Sequence, residues 1–239
     1  MAVGYNPKIV TDGLVLCLDA ANTKSYPGSG TTWSDLSGQS NNGTLVNGPT
    51  YSSADGGSIV FDGSNDYGSL SSLNLSTLMN GSNNFSLSLW FNTDSFPAST
   101  SFLVSLVLFW AGTRAIYFVF GDSTPADQFS VRVNQNSTWQ SPVQNNSTLS
   151  TGTWYNMLVT YNSSSGYILY QNGTSVDTSS TTGSISSFTN INPEIGSLTI
   201  GQGTRYYDGK ISQILIYNKA LTASEVQQNY NALKGRFGL

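Results

Sequence analysis

The chain has 239 residues, 9% of them charged and 12% aromatic, with Lys+Arg 9 against Asp+Glu 13, no histidine and a net charge of −4. An average soluble protein carries roughly 25% charge. So low a charge beside so many aromatics argues against disorder, which needs low hydrophobicity and high net charge. The cations form no cluster, which argues against a nucleic-acid partner, because phosphate binding needs a positive footprint. No linker and no internal repeat divides the chain, and a β-sandwich of about 250 residues is common as one unit.

Met1–Thr11 contains Pro7 and few large apolar groups, so residues 1–12 read as an N-terminal arm that gains order on a neighbouring subunit. The opening residues lack the apolar core of a signal peptide, which predicts synthesis and folding in a cytoplasm. Sequons such as Asn42-Gly43-Thr44 and Asn172-Gly173-Thr174 then read as by-products of an Asn/Ser/Thr-rich chain. A first strand follows over 13–19. It holds Cys17, the only cysteine, flanked by Leu16 and Leu18 and read as buried core rather than as a reactive thiol.

The next strand, 58–61, ends in the turn residues Asp62-Gly63 and Asn65-Asp66. The stretch 85–91 alternates apolar and polar residues, the pattern of a strand with one wet face. Residues 102–110 form a continuous apolar run, shorter than the about 20 residues that span a membrane. It reads as a strand buried on both faces or covered by a partner subunit, so no membrane partner is expected. Strands follow over 115–120, 129–133, 154–161 and 166–170, the last closed by the hairpin signal Asn172-Gly173. Two more lie at 198–201 and 210–217.

Thr222-Ala223-Ser224-Glu225 has the spacing of a capping box, with Leu221 and Val226 placed as a hydrophobic staple. A helix is therefore predicted over 223–234, stopped by Gly235. The pattern is all-β: a two-sheet antiparallel β-sandwich of jelly-roll type over residues 13–239, with one short C-terminal helix.

Several stretches resemble one family in the right order. Ile59-Val60-Phe61-Asp62-Gly63-Ser64-Asn65-Asp66-Tyr67 resembles the opening motif of laminin-G-like domains of the concanavalin A-like lectin/glucanase superfamily. Phe85-Ser86-Leu87-Ser88-Leu89-Trp90-Phe91, Trp154-Tyr155-Asn156 and Tyr170-Gln171-Asn172-Gly173 are similar to its later strands. So are Tyr207-Asp208-Gly209-Lys210-Ile211 and Ile216-Tyr217-Asn218-Lys219-Ala220-Leu221-Thr222. The resemblance runs from Ile59 to the C-terminus and implies the concanavalin A-like sandwich. The opening stretch Gly4-Tyr5-Asn6-Pro7-Lys8-Ile9-Val10-Thr11-Asp12-Gly13-Leu14, with Trp33-Ser34-Asp35-Leu36-Ser37-Gly38, resembles the start of virion-associated proteins of tailed bacteriophages. That resemblance implies a virion structural protein, a capsid decoration or a tail fibre component, made in the host cytoplasm. Its implied partners are other virion proteins and copies of itself in a closed ring, a trimer by analogy with phage appendages.

The alternative is a carbohydrate-binding module for a host-surface glycan, with Trp139, Tyr206 and Tyr207 in predicted loops as candidate sugar contacts. A plainer reading makes these aromatics cover for the core or an interface. A glycoside hydrolase is a third reading. Its family places carboxylates at alternating strand positions, as Glu-x-Asp-x-Glu, because period-2 residues share a face. This chain has two glutamates, Glu225 in the capping box and Glu194 after Pro193 in a predicted loop. Without histidine there is no imidazole general base and no Ser-His-Asp or Cys-His arrangement. The expectation is no enzyme, no catalytic residue and no cofactor. For metals, Asp62, Asn65 and Asp66 could hold calcium in their turn, but Asx-turns account for them more simply. Ser212-Gln213 also stand where the family often has Asp-Glu.

Overall fold

The computed structural model describes residues 8–71, 73, 84–96, 104–111, 114–120, 127–135, 138–183, 193–200 and 203–239. Of these, 104–111, 114–115, 134–135, 139, 198–200 and 203–204 are described by their backbone. In chain order the first strands are β1 Leu14–Asp19, β2 Thr32–Trp33, β3 Gly43–Val46, β4 Thr50–Ser52, β5 Ser58–Asp62 and β6 Tyr67–Ser69. Then come β7 Phe85–Thr93, β8 Val104–Ala111, β9 Arg114–Phe120, β10 Phe129–Gln135, β11 Thr138–Gln144 and β12 Trp154–Asn162. The last are β13 Gly166–Gln171, β14 Thr174–Ser179, β15 Glu194–Ile195, β16 Ser197–Ile200, β17 Gly203–Tyr206 and β18 Asp208–Tyr217, followed by the helix α1 Ala223–Leu233.

The strands form two eight-stranded antiparallel sheets. The first runs β14-β13-β12-β7-β18-β5-β4, with β1 also pairing β18; the second runs β11-β10-β9-β8-β15-β6-β3-β2. The β16–β17 hairpin forms a small sheet of its own. The core lies between the two large sheets. Leu87, Leu89 and Phe91 of β7, Val159 and Tyr161 of β12, and Ile214 and Ile216 of β18 meet Phe118 and Phe120 of β9 and Phe129 and Val131 of β10. Phe91 packs edge-on to Phe120 at 5.6 Å between centroids. Burial of such apolar area, at about 25 cal/mol per Å², is the main force holding the layers together.

A second, smaller cluster covers the outward face of the first sheet. Val10, Cys17, Leu158, Tyr170, Leu215, Tyr217, Leu221 and Val226 pack there beneath α1. The helix begins as its sequence predicts: the Thr222 hydroxyl accepts from the Glu225 amide at 3.3 Å, and the Glu225 carboxylate accepts from the Thr222 amide at 2.8 Å. The β13–β14 hairpin is also as read, with Asn172 at φ 50° and Gly173 at φ 77°. A Cβ at Gly173 would lie 2.9 Å from the Tyr230 ring, so glycine also lets the helix close on the turn.

Three expectations change. β7 was expected to keep one face wet, yet all nine residues are buried. Its outward Ser86 donates to Lys219 O at 2.9 Å, and Ser88 accepts from the Asn156 amide group at 3.0 Å, so the polar side is covered and bonded. The arm is shorter than 1–12: Val10 N donates to Asn229 Oδ1 at 2.7 Å and Tyr217 OH donates to Val10 O at 3.0 Å. Residues 8–12 therefore dock on the chain's own helix and β18, while 1–7 lie outside the described residues. Gly235 does not stop the helix; a 3₁₀ turn Lys234–Phe237 continues it, and Gly238 at φ 72° takes the left-handed position. The apolar run does hold a strand: its residues 104–110 lie in β8, inside the second sheet between β9 and β15. Phe102 and Leu103, and the side chains of the rest of the run, lie outside the described set.

Candidate functional site

The turn after β5 holds the candidate calcium ligands Asp62, Asn65 and Asp66. Asp62 Oδ1 accepts the Ser64 amide at 2.8 Å and the Asn65 amide at 3.3 Å, which is an Asx-turn. These amides, Ser64 first, hold the Asp62 carboxyl below the usual carboxylate range. Asp66 is buried, and burial, followed by the neighbouring Asp62 charge, pushes its carboxyl up. A lowered and a raised carboxyl side by side are organised around backbone amides. Among the described residues no group of three acidic, Cys or His side chains is placed to hold a metal ion.

The second sheet presents a more informative surface. Strand register aligns Thr32 with Thr44, Thr44 with Ser69 and Ser69 with Glu194 across β2, β3, β6 and β15. Register partners share a face, and their alternating neighbours Leu45 and Ile195 are in the core, so this row points outward. Thr32 and Thr44 are exposed, and Ser69 and Glu194 are half-buried. Tyr67, two residues before Ser69, stands half-buried on the same face. Ser197 Oγ donates to Glu194 Oε2, fixing the carboxylate, while Oε1 makes no hydrogen bond to a described residue. Hydroxyls, an anchored carboxylate and an aromatic ring on one face are the groups that recognise a polyhydroxylated ligand.

Carboxylates are few on both large sheets. The eight strands of the second sheet contain one carboxylate, Glu194. In the first sheet, Asp62 and Asp208 are register partners, but Asp62 is held in its turn and Asp208 Oδ2 accepts from Ser95 Oγ at 2.6 Å. A glycosidase pair stands about 5–5.5 Å or 6.5–9.5 Å apart, with both groups open to the sugar.

The predicted contacts distribute unevenly. Tyr207 lies in the link between β17 and β18, as expected, but it cannot be a surface contact: it is wholly buried, donates to Asn92 O at 2.9 Å, and burial pushes its phenol well above the ordinary value. Tyr206 lies in β17 rather than a loop, half-buried and opposite Ser197. It thus comes to the residue that anchors Glu194. Trp139 falls in strand β11, and its side chain lies outside the described set. Glu194 is in a two-residue strand, not a loop. Thr44, Tyr67 and Ser69 were missed because their strands are three or four residues long and show no period. Cys17 is buried as expected, and its thiol is pushed up to about 12 by burial first and then by Asp19 and Asp35.

Two eight-stranded antiparallel sheets around an aromatic core define a β-sandwich of jelly-roll type. Residues 62–227 match a laminin-G family model described as the Concanavalin A-like lectin/glucanases superfamily, and the chain belongs to this family. Among curated proteins none matches by sequence. Among solved structures the chain is similar to domain 4 of AbnA, a GH43 extracellular arabinanase from Geobacillus stearothermophilus, in complex with arabinotriose. The TM-score is 0.71 at 17% identity, over 91% of this chain and 98% of that domain. It is also similar to Trypanosoma rangeli sialidase in complex with sialic acid, with TM-score 0.65, 14% identity and 94% of this chain but 33% of that one covered. A third is the binding domain of botulinum neurotoxin DC in complex with rat synaptotagmin II, with TM-score 0.66, 13% identity and coverage of 94% and 52%. The chain thus spans a third of the sialidase and about half of the toxin domain. At these identities the likeness establishes the fold alone.

Proposed function

We propose that the chain is a carbohydrate-binding module that does not hydrolyse its ligand, displayed on a tailed-bacteriophage particle. The observation that carries the binding reading is the outward row Thr44–Ser69–Glu194 with Tyr67 beside it, on a sheet with a single carboxylate. One carboxylate can accept two sugar hydroxyls but cannot serve as both acid and nucleophile. The neighbours' ligands support the same class: arabinotriose in the arabinanase domain, and the two gangliosides on which cell entry of botulinum neurotoxin type C depends. The particle reading is supported by the phage-like opening sequence from Gly4 to Gly38. Display in a closed ring, a trimer by the same analogy, would multiply weak single-site affinities.

The test is a glycan array followed by calorimetry, with reducing-end release assayed in the same samples. Binding without release, weakened in Glu194→Gln, is expected. No binding to any glycan would overturn the module reading; release abolished in both Glu194→Gln and Asp208→Asn would make the protein a hydrolase. Mass spectrometry of purified particles tests the display: absence of the chain ends that half of the proposal.

A further inference from the structure

The first sheet carries a cleft on its other side, away from the Glu194 row. It is about 390 Å³ in volume and is lined by β12, β13, β14 and the turn before α1, including Thr160, Asn162, Ile168, Thr178 and Leu221. Register sets its floor. Tyr217, Ser86, Thr160, Ile168 and Thr178 are successive partners across β18, β7, β12, β13 and β14. Tyr217 belongs to the outward cluster, with Ile168 packed against it, so the whole row faces away from the main core. At the Ser86 end the row is closed: Leu221 N donates to Ser86 Oγ at 2.9 Å, which seats Ala220 and Leu221 as an end wall. Beyond it the row opens as hydroxyl, aliphatic, hydroxyl, and the two threonines stand about 10 Å apart, two strand spacings.

Two properties point to a ligand class. Asp, Glu, Lys and Arg are absent from the residues that line the cleft. A charged ligand would lose water there and gain no opposite charge, which disfavours it. Thr160 is 4% exposed, yet its hydroxyl makes no hydrogen bond to a described residue, and it lines the cleft. The Thr178 hydroxyl likewise has no partner among the described residues and lines the far side. The Thr160 residue is buried while its hydroxyl stays open to the cleft, so the bond it can make is with whatever fills that space. The volume lies in the range of small-molecule sites, about 300–1,000 Å³.

We infer that this cleft is a second saccharide site, selective for an uncharged sugar unit, seated over Ile168 between the hydroxyls of Thr160 and Thr178. The inference rests on the carbohydrate-binding reading and adds a separate site on the opposite sheet, with a ligand class of its own. The aliphatic face of a neutral pyranose or furanose covers Ile168, and its hydroxyls exchange hydrogen bonds with the two threonines. Two sites on opposite faces would let one module bridge two chains of a glycan.

The experiment is amide NMR mapping on the full chain, titrated with neutral arabino- and gluco-oligosaccharides and, separately, with sialyllactose. Neutral sugars are expected to shift Thr160, Asn162, Ile168 and Thr178. Thr178→Val and Thr160→Val should each weaken that binding about three- to tenfold, the worth of one hydrogen bond. Thr178 is on the surface, so Thr178→Val also serves if Thr160→Val fails to fold. Shifts confined to the Glu194 face would overturn the cleft and leave the binding module standing. Sialyllactose binding in the cleft would overturn the uncharged class. The absence of shifts with every saccharide would sink both readings.

Discussion

Phe237 stacks on Trp90, with ring centroids 4.2 Å apart and planes inclined by 17°. Tyr230 stacks beside it on the same indole at 5.7 Å, and Trp154 lies 4.6 Å from Phe237. The end of the chain thereby covers the outward face of the first sheet's central strands. Arg236 adds an ion pair to the buried Asp19 at 2.8 Å. Replacing Phe237 by Ala should lower stability by about 2 kcal/mol, below the ~3–5 of a fully buried phenylalanine because this ring is half-buried. Urea unfolding measures it, with tryptophan emission reporting the newly wetted Trp90. An unchanged midpoint would mean that the tail rests on the sheet without holding it.

Thr222→Ala should cost about 0.5–2 kcal/mol, the range for a lost helix cap. Both halves of the capping box pass through Thr222, its hydroxyl at one end and its amide at the other. The alanine variant keeps the amide, so Thr222→Ser, which also keeps the hydroxyl, should stay near wild type. Thermal melts of the two variants separate the cap from general sensitivity at this position.

Lys219 Nζ lies 2.5 Å from Asp12 and 2.7 Å from Glu225, tying residue 12 to the start of α1. The Lys219 bond first holds the Glu225 carboxyl below its ordinary range, and Asp12 and then Glu225 hold the Lys219 ammonium above its own. Glu225 therefore contributes fully above about pH 4.3, its unfolded value, and the contribution is lost as pH falls through the lowered one. Lys219 contributes fully below about pH 10.4 and loses this as pH rises through the raised value. Burial of Asp66 acts in the opposite sense, since its raised carboxyl favours the folded state as pH falls. Stability of Glu225→Gln minus wild type, followed from pH 7 downward, isolates the first effect: the difference should shrink in acid. A difference that stays constant would remove the ion pair from the account.

Cys17 should be inert to thiol reagents in the native protein at neutral pH and react at once on unfolding. Its thiol is buried and pushed up to about 12, so the thiolate that would attack is scarce. Labelling with a chromogenic disulfide, with and without urea, reads this directly. Fast native labelling would show that the outward cluster opens.

Features built within a few residues were legible from the chain. The Asn172-Gly173 hairpin, the Thr222–Glu225 box, the Asx-turn at Asp62 and the strand beginning at Ser58 all rest on contacts that local spacing dictates. The sandwich class followed from them, because many short strands with such turns have few ways to hide their apolar faces. Tertiary structure decided the rest. Ser86 and Ser88 look like a wet edge in the sequence, but the cover for Ser86 arrives 133 residues later, at Lys219. Tyr206 and Tyr207 are adjacent and chemically identical; one lies in β17, half-buried beside Ser197, while the other, in the link to β18, is wholly inside, where its hydroxyl donates to Asn92 O. Glu194 reads as a loop residue because a two-residue strand has no period, and only its register with Ser69 gives it a face. The cleft is least visible of all: Thr160, Ile168 and Thr178 belong to three strands, and only the pairing of those strands brings two hydroxyls to either side of one aliphatic side chain.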